Sequence, residues 1–269
     1  MSILISQDLY VTQQASNTIW PLTHARIGYK NLITKDNISG PAGEDSFPIE
    51  SMALKITTEM YKPSTANAVV NVDLGFAQDV NYFGLVGRNM GIVKLEYSFN
   101  NIDFVEVYEK DDGSSVISMG LFTLQTAQYW RFTFTGAGQE IITVFLGVTL
   151  DMMRPIYGGH TPLDLSRKTA MRPRLSETAQ FMGITIQRQG FGTSYDWTNL
   201  TAAWIREQFK PFIFAARTQP YFIAWRPETF PDEVGYVWTM SDIAPQNMGT
   251  RDLMSVNLPV QGYDAETGQ

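Results

Sequence analysis

The groups that most often act as general base, nucleophile or zinc ligand are scarce in this chain: it has two histidines, His24 and His160, and no cysteine. Each histidine lies beside proline and turn-forming residues and reads as an exposed or locally hydrogen-bonded imidazole. No His-Glu-x-x-His, Gly-x-Ser-x-Gly or Walker sequence occurs. The stretch "QGFGTS", Gln189 to Ser194, has two glycines at the spacing that opens a dinucleotide fingerprint. Its third glycine is missing and Tyr195-Asp196-Trp197 follows, so it reads as a strand-ending turn. The carboxylate pairs Asp111 with Asp112 and Asp232 with Glu233 are neighbours on predicted turns, an arrangement unlike two carboxylates held across a sugar. The expectation is therefore no catalytic residue, no metal site and no cofactor.

What remains is recognition by charge and by aromatic surface. The segment "SRKTAMRPR" holds Arg167, Lys168, Arg172 and Arg174 without an intervening acid. It reads either as a solvated linker or as a contact to the acidic surface of a neighbouring copy. Trp20, Trp197 and Trp225 fall near predicted loops or strand ends, although tryptophans of a sandwich belong mostly to its core. The formal charge of -7 is the wrong sign for neutralising phosphates, which argues against a nucleic-acid partner. The opening "MSILISQDLYV" has no basic n-region, and no segment approaches a membrane span, so synthesis in the cytoplasm is expected.

The elements that must position these residues are mostly strands. With 44% hydrophobic and 13% aromatic residues the chain can bury proper cores. From Ala68 to Leu150 short period-two bursts alternate with Gly, Asn and Asp clusters, the pattern of an antiparallel sandwich or jelly roll. In "YWRFTFTG", Trp130, Phe132 and Phe134 share one face, which places that strand centrally. In "VKLEYSF", Val93, Leu95 and Tyr97 oppose Lys94, Glu96 and Ser98, as in a half-exposed strand. Asp111-Asp112-Gly113 suits a tight turn. The first sixty-odd residues read as irregular structure wrapped over the sandwich.

A boundary is expected where two proline-containing segments and a Gly-Gly pair interrupt the strand pattern, giving residues 1–153, a linker over 154–174 and a second unit over 175–269. In the second unit "FMGITIQRQ", "YFIAW", "VGYVWTM" and "DLMSVNLPV" read as strands. "TNLTAAWIREQFK" reads as a helix with Ala202, Ile205 and Phe209 on one face. Thr198 or Asn199 would cap it and Pro211 would end or kink it. The fold class expected is mainly β: a jelly-roll sandwich followed by a β-rich domain with one substantial α-helix.

The segment "VVNVDLGFAQDVNYFGLVGRNMGIVKLEYSFNNIDFVEV", taken with "YWRFTFTG", resembles the discoidin-like (F5/8 type C, galactose-binding-like) jelly roll over roughly the first 150 residues. The resemblance implies ligand contacts on the sandwich loops, here Arg88 and Asn89 where the sheet turns over, and Asn100, Asn101 and Asp103 at a hairpin tip. The fusion of such a module to "YFIAWRPETFPDEVGYVWTM" is similar, loosely and over Arg172 to Val260, to tail-tip proteins of long-tailed bacteriophages of the distal tail or baseplate type. That likeness implies a non-enzymatic virion protein, with copies of itself in a ring, tube and hub proteins as neighbours, and a host-surface glycan as a further partner. Arg167, Lys168, Arg172 and Arg174 would then lie at contacts between subunits. A soluble lectin-like glycan-binding protein is the alternative, and a hydrolase with a discoidin accessory domain the least supported reading.

Overall fold

The computed structural model describes residues 2–5, 20–113, 117–156, 158–188 and 190–263. Its first half contributes nine strands: β1 (Ser2–Ile5), β2 (Arg26–Gly28), β3 (Ile38–Ser39), β4 (Asn67–Arg88), β5 (Gly91–Ser98), β6 (Val105–Gly113), β7 (Ile117–Thr135), β8 (Glu140–Gly147) and β9 (Leu150–Asp151). The long strands β4 and β7 pair antiparallel along most of their length, with register shifts between Asp73 and Gln78 and between Val80 and Tyr82. At these shifts the sheet folds over. Phe83 lies opposite Gly120 in the ladder, yet its ring meets Phe132 at 6.0 Å and Tyr108 at 4.8 Å.

The result is two stacked layers. An outer layer holds β3, the first part of β4, the last part of β7, β5 and β6; a middle layer holds β1, the first part of β7, the last part of β4 and β8. Between them lies a core of Val70, Val72, Leu95, Trp130, Phe132 and Phe134 against Phe83, Leu85, Val144 and Leu146. Residues 67–74 alternate exposed and buried, as a strand with one wet face must. The run Phe83–Gly87 is buried without alternation, because the middle layer is covered on both faces.

What covers it is a third layer. The second half adds β10 (Ala170–Leu175), β11 (Phe181–Arg188), β12 (Phe191–Thr201), β13 (Tyr221–Ala224), β14 (Val234–Thr239), β15 (Gln246–Asn247) and β16 (Leu253–Gly262). Its main sheet runs β12-β16-β14-β13-β2-β9, with β15 beside β16. Tyr82, Val86, Met119, Leu121 and Phe145 of the middle layer pack on Phe222, Ala224, Val234 and Tyr236. Gly84 makes this approach possible, since a Cβ there would sit 2.4 Å from the Phe222 ring. On its far face the sheet buries Tyr195, Trp197, Ile223 and Leu258 under the helix α1, formed by Ala202–Trp204, a π-turn over Ile205–Phe209 and Lys210–Ala216.

Several expectations need correction. Strands β2 and β9 belong to the sheet of the second half, so the sheets do not divide at residue 153; β2 pairs with β13 and β9 pairs with β2. The expected linker ends in a strand, since β10 takes up Ala170 to Leu175. Asp111 to Gly113 close strand β6 rather than forming a turn, and Ser114 to Val116 lie outside the described residues. The helix is capped by Thr201, whose Oγ1 accepts from Trp204 N at 3.3 Å, because β12 continues through Thr198 and Asn199. Pro211 does not end the helix; the π-turn immediately before it widens the ladder where proline has no N–H to give. The expected face of Ala202, Ile205 and Phe209 is the buried one.

Candidate functional site

The five sandwich residues expected at a ligand site divide between opposite ends of β5. Arg88 and Asn89 precede the strand and Asn100, Asn101 and Asp103 follow it, about 23 Å away at ~3.3 Å per residue. They do not converge on one ligand.

At the leading end the side chains hold the fold. Arg88 Nη1 lies 3.8 Å from Glu140 Oε2, and Lys62 Nζ binds the other oxygen of that carboxylate at 2.6 Å. Asn89 has φ +53° and donates from Nδ2 to the Gly138 carbonyl at 3.4 Å. Gly91 follows at φ +60° with the Thr135 carbonyl 1.9 Å from where a Cβ would be, so this turn is locked against the β7–β8 turn.

At the trailing end Asn100 organises the loop. Its Oδ1 accepts from Ile102 N at 3.0 Å, from Asp103 N at 2.9 Å and from Ser98 Oγ at 3.0 Å, while Nδ2 donates to Asp103 Oδ2 at 2.9 Å. Asn101 takes φ +60°, which asparagine tolerates. The polar atoms of Asn100 are thus engaged within the turn, and the apolar side chains are thrown outward: Phe99 is 70% and Ile102 79% exposed. Phe104 folds back beneath Arg131, whose guanidinium carbon is 3.8 Å from its ring centroid. Arg131 in turn donates from Nε and Nη2 to Glu96 Oε2, both at 2.8 Å.

Asp73, Tyr129 and Ser98 stand opposite one another on β4, β7 and β5. Just beyond this row β4 turns through Gly75, at φ +77°, into Phe76, which is 66% exposed. Asp73 Oδ1 fixes the turn by accepting from Gly75 N at 2.8 Å and from Gln128 Nε2 at 2.9 Å. One corner of the sandwich therefore presents two phenylalanines, Phe76 and Phe99, on turns braced by side-chain hydrogen bonds, with Asn101, Asp103, Gln128 and Tyr129 around them. Sequence reasoning singles out Asn100, Asn101 and Asp103 at this corner and passes over Asp73, Gln128, Tyr129 and the two phenylalanines. The signal was an aromatic directly after a turn glycine in "LGFA" and directly before the Asn-Asn turn in "SFNN".

The remaining candidates are scattered. Arg167 bridges to Phe191 and stacks over its ring at 5.6 Å, and Lys168 lies across Gly192. Arg172 and Arg174 stand exposed on β10. His24 donates from Nδ1 to the Met152 carbonyl at 2.8 Å; burial lowers it from its ordinary value while that carbonyl pulls the other way. His160 is wedged between Tyr195 and Trp225, both ring nitrogens out of water and without a hydrogen-bond partner in the described residues, and burial lowers it as well. Trp197 and Trp225 are core residues. Phe191 to Ser194 open strand β12 rather than ending one, and Gln189 is outside the described residues. Glu233 accepts from the Trp225 indole N–H. Among the described residues no three His, Asp or Glu side chains gather as a metal site, and no helix is long and apolar enough to cross a membrane.

No protein-family model matches the chain, and no curated protein does. Solved structures similar to it include chitosan-binding module 1 of a chitosanase/glucanase from Paenibacillus sp. IK-5, 18% identical, covering 44% of this chain and 99% of that one with a TM-score of 0.41. Module 2 of the same enzyme, in complex with chitotriose, is 13% identical over 44% of this chain and 100% of its own, with a TM-score of 0.40. CpGH89CBM32-5 from Clostridium perfringens, in complex with GalNAc-beta-1,3-galactose, is 13% identical over the same shares, with a TM-score of 0.38.

Proposed function

We propose that the chain is a non-enzymatic glycan-binding protein that takes sugar at the corner of its sandwich. The observation that carries the reading is the pair of exposed aromatics, Phe76 and Phe99, on hydrogen-bonded turns next to side-chain amide, carboxylate and phenol groups. A sugar ring offers an apolar C–H face and a rim of hydroxyls, and such a surface meets both without having to reorganise. A glycan array followed by calorimetry tests it. Phe76→Ala and Phe99→Ala are each expected to weaken the detected sugar at least about tenfold, or ~1.4 kcal/mol, whereas Arg88→Ala with Asn89→Ala leaves affinity unchanged. Silence across the array, or loss only in the Arg88 and Asn89 variant, refutes this site.

A second reading, a structural component of a long-tailed phage tail tip that forms a ring with tube and hub proteins as neighbours, is favoured by one feature. The β10–β11 ribbon forms a separate two-stranded sheet in which no described residue is buried. Such ribbons are marginal alone and gain stability from a neighbouring surface. Immuno-electron microscopy of purified particles would find the protein at the tail tip under this reading and nowhere on the virion otherwise.

A further inference from the structure

The ribbon is amphipathic in a way its sequence disguises. Its register sets Met171 opposite Ile186 and Pro173 opposite Ile184, so one face is apolar, with Met171, Ile184 and Ile186 between 53% and 58% exposed. Arg172 opposite Thr185 and Arg174 opposite Gly183 form the other face. Neither guanidinium has an ion-pair partner among the described residues. Both long edges of the ribbon are unpaired in the same sense, leaving backbone N–H and C=O groups available to another strand.

The rest of the chain offers a matching edge. Strand β6 borders the outer layer and pairs with β5 alone among the described residues. It is also two-faced: a register shift at Val107 puts Val107 and Tyr108 together in the sandwich core, while Glu106 and Glu109 stay on the outer face, half-exposed, sharing Lys94 at 3.2 and 3.9 Å. Lys94 and Glu96, their ladder partners, are two residues apart, so the two carboxylates are spaced as Arg172 and Arg174 are. Charge is partitioned to suit. All seven net negative charges fall in residues 1–153, with sixteen carboxylates against nine cations, whereas residues 154–217 hold nine cations and four carboxylates. An acidic edge repels a second acidic strand and accepts a cationic one.

We infer that the occupant of the ribbon is a second copy of this chain, the ribbon of one copy adding to the β6 edge of the next with Arg172 and Arg174 over Glu106 and Glu109. The ribbon's apolar face then continues the inner side of the outer layer. Because the two surfaces differ, the contact is heterologous and propagates around a ring or along a filament. This rests on the assembly reading above and is independent of sugar binding.

Sedimentation over a range of concentrations tests it in the full-length protein. The wild type is expected to self-associate at low salt and less so at 0.5 M, where the Debye length is only about 4 Å. Arg172→Glu with Arg174→Glu, and separately Glu106→Arg with Glu109→Arg, should each weaken association at least tenfold, and an equimolar mixture of the two variants should restore it. Glu106→Gln with Glu109→Gln is a milder form should the reversal disturb β6, and circular dichroism checks that each variant is folded. A wild type that stays monomeric throughout sinks the assembly reading and this contact together. Association that survives the charge reversals, or fails to return in the mixture, sinks this contact alone.

Discussion

At the scale of single residues, the sandwich corner depends on Arg131. Glu96 is only 7% exposed although it faces outward, because Arg131, Lys94 and Phe104 roof it. Removing the guanidinium leaves a nearly buried carboxylate with Lys94 as its remaining ion-pair partner and takes away the plane on which Phe104 rests. Arg131→Ala should therefore cost about 2 kcal/mol in urea unfolding, and Arg131→Lys should recover only part of it, since an ammonium cannot fork or stack as a guanidinium does. His160 supplies a pH dependence. Its folded-state pKa lies below the ordinary 6.5 because burial disfavours the imidazolium, so in acid the unfolded chain binds more protons than the native one. The stability this contributes is complete above pH 6.5 and falls as pH drops below it. Urea midpoints for wild type should decline between pH 7.5 and 5.5, and His160→Phe should flatten that decline in part, the remainder belonging to His24, which burial also lowers. An unchanged slope in His160→Phe would show that the imidazole is not shielded in solution.

Elements show what the sequence reveals and what it hides. The alternation of Trp130, Phe132 and Phe134 reports burial directly, because a strand's pleat turns composition into faces, whereas in β5 it holds for Val93 and Leu95 and fails at Glu96, Tyr97 and Ser98, where the expected outer face is covered. The buried stripe of the helix was legible for the same reason at a different period. Phe209 is fully buried against Trp204 and Phe212, so Phe209→Ala should cost about 3–4 kcal/mol in the same unfolding assay. A cost below about 1 kcal/mol would mean that the stripe does not hold the third layer. Hidden were features that need a partner distant in sequence. The three residues of β2 carry no strand signal of their own and are strand only because β13 and β9 flank them. Arg26 there is buried, and its charge is met by Asp151 at 3.1 Å and by the Trp20 carbonyl at 2.6 Å, neither of which spacing could foretell. The candidate site was half legible: the Asn100 turn could be placed at a strand tip, but its side chains are consumed by the turn, and the exposed aromatics beside it follow from that consumption. Strand β11 was legible in "FMGITIQRQ", but its partner β10 was hidden, because three prolines and five cations over residues 154–174 look like a linker until the register sets Met171 and Pro173 opposite Ile186 and Ile184.

At the scale of the whole molecule, the middle layer decides how the protein can be divided. Composition and a proline-rich boundary suggest two units that could part at residue 153, each with its own core. Each half does have a core, but a third lies between them, where Tyr82, Val86, Met119, Leu121 and Phe145 face away from the sandwich core and pack with Leu22 against Phe222, Ala224, Val234 and Tyr236. The polar contacts across this boundary agree: Tyr236 Oη donates to the Lys55 carbonyl at 2.8 Å, and Gln219 Nε2 donates to the Tyr29 carbonyl at 2.7 Å. A fragment of residues 1–153 would expose that apolar face, and one of residues 154–269 would lose β2, the strand that β13 pairs with on one side. Expressed alone, residues 1–153 should bind a hydrophobic dye and aggregate, and adding residues 154–269 in trans during refolding should suppress both. Gly84→Val in the full chain should reproduce the effect more mildly, since its methyls would meet the Phe222 ring and hold the layers apart. A fragment of residues 1–153 that is monomeric, dye-silent and cooperatively unfolding would show that the third layer leans on the sandwich without completing it.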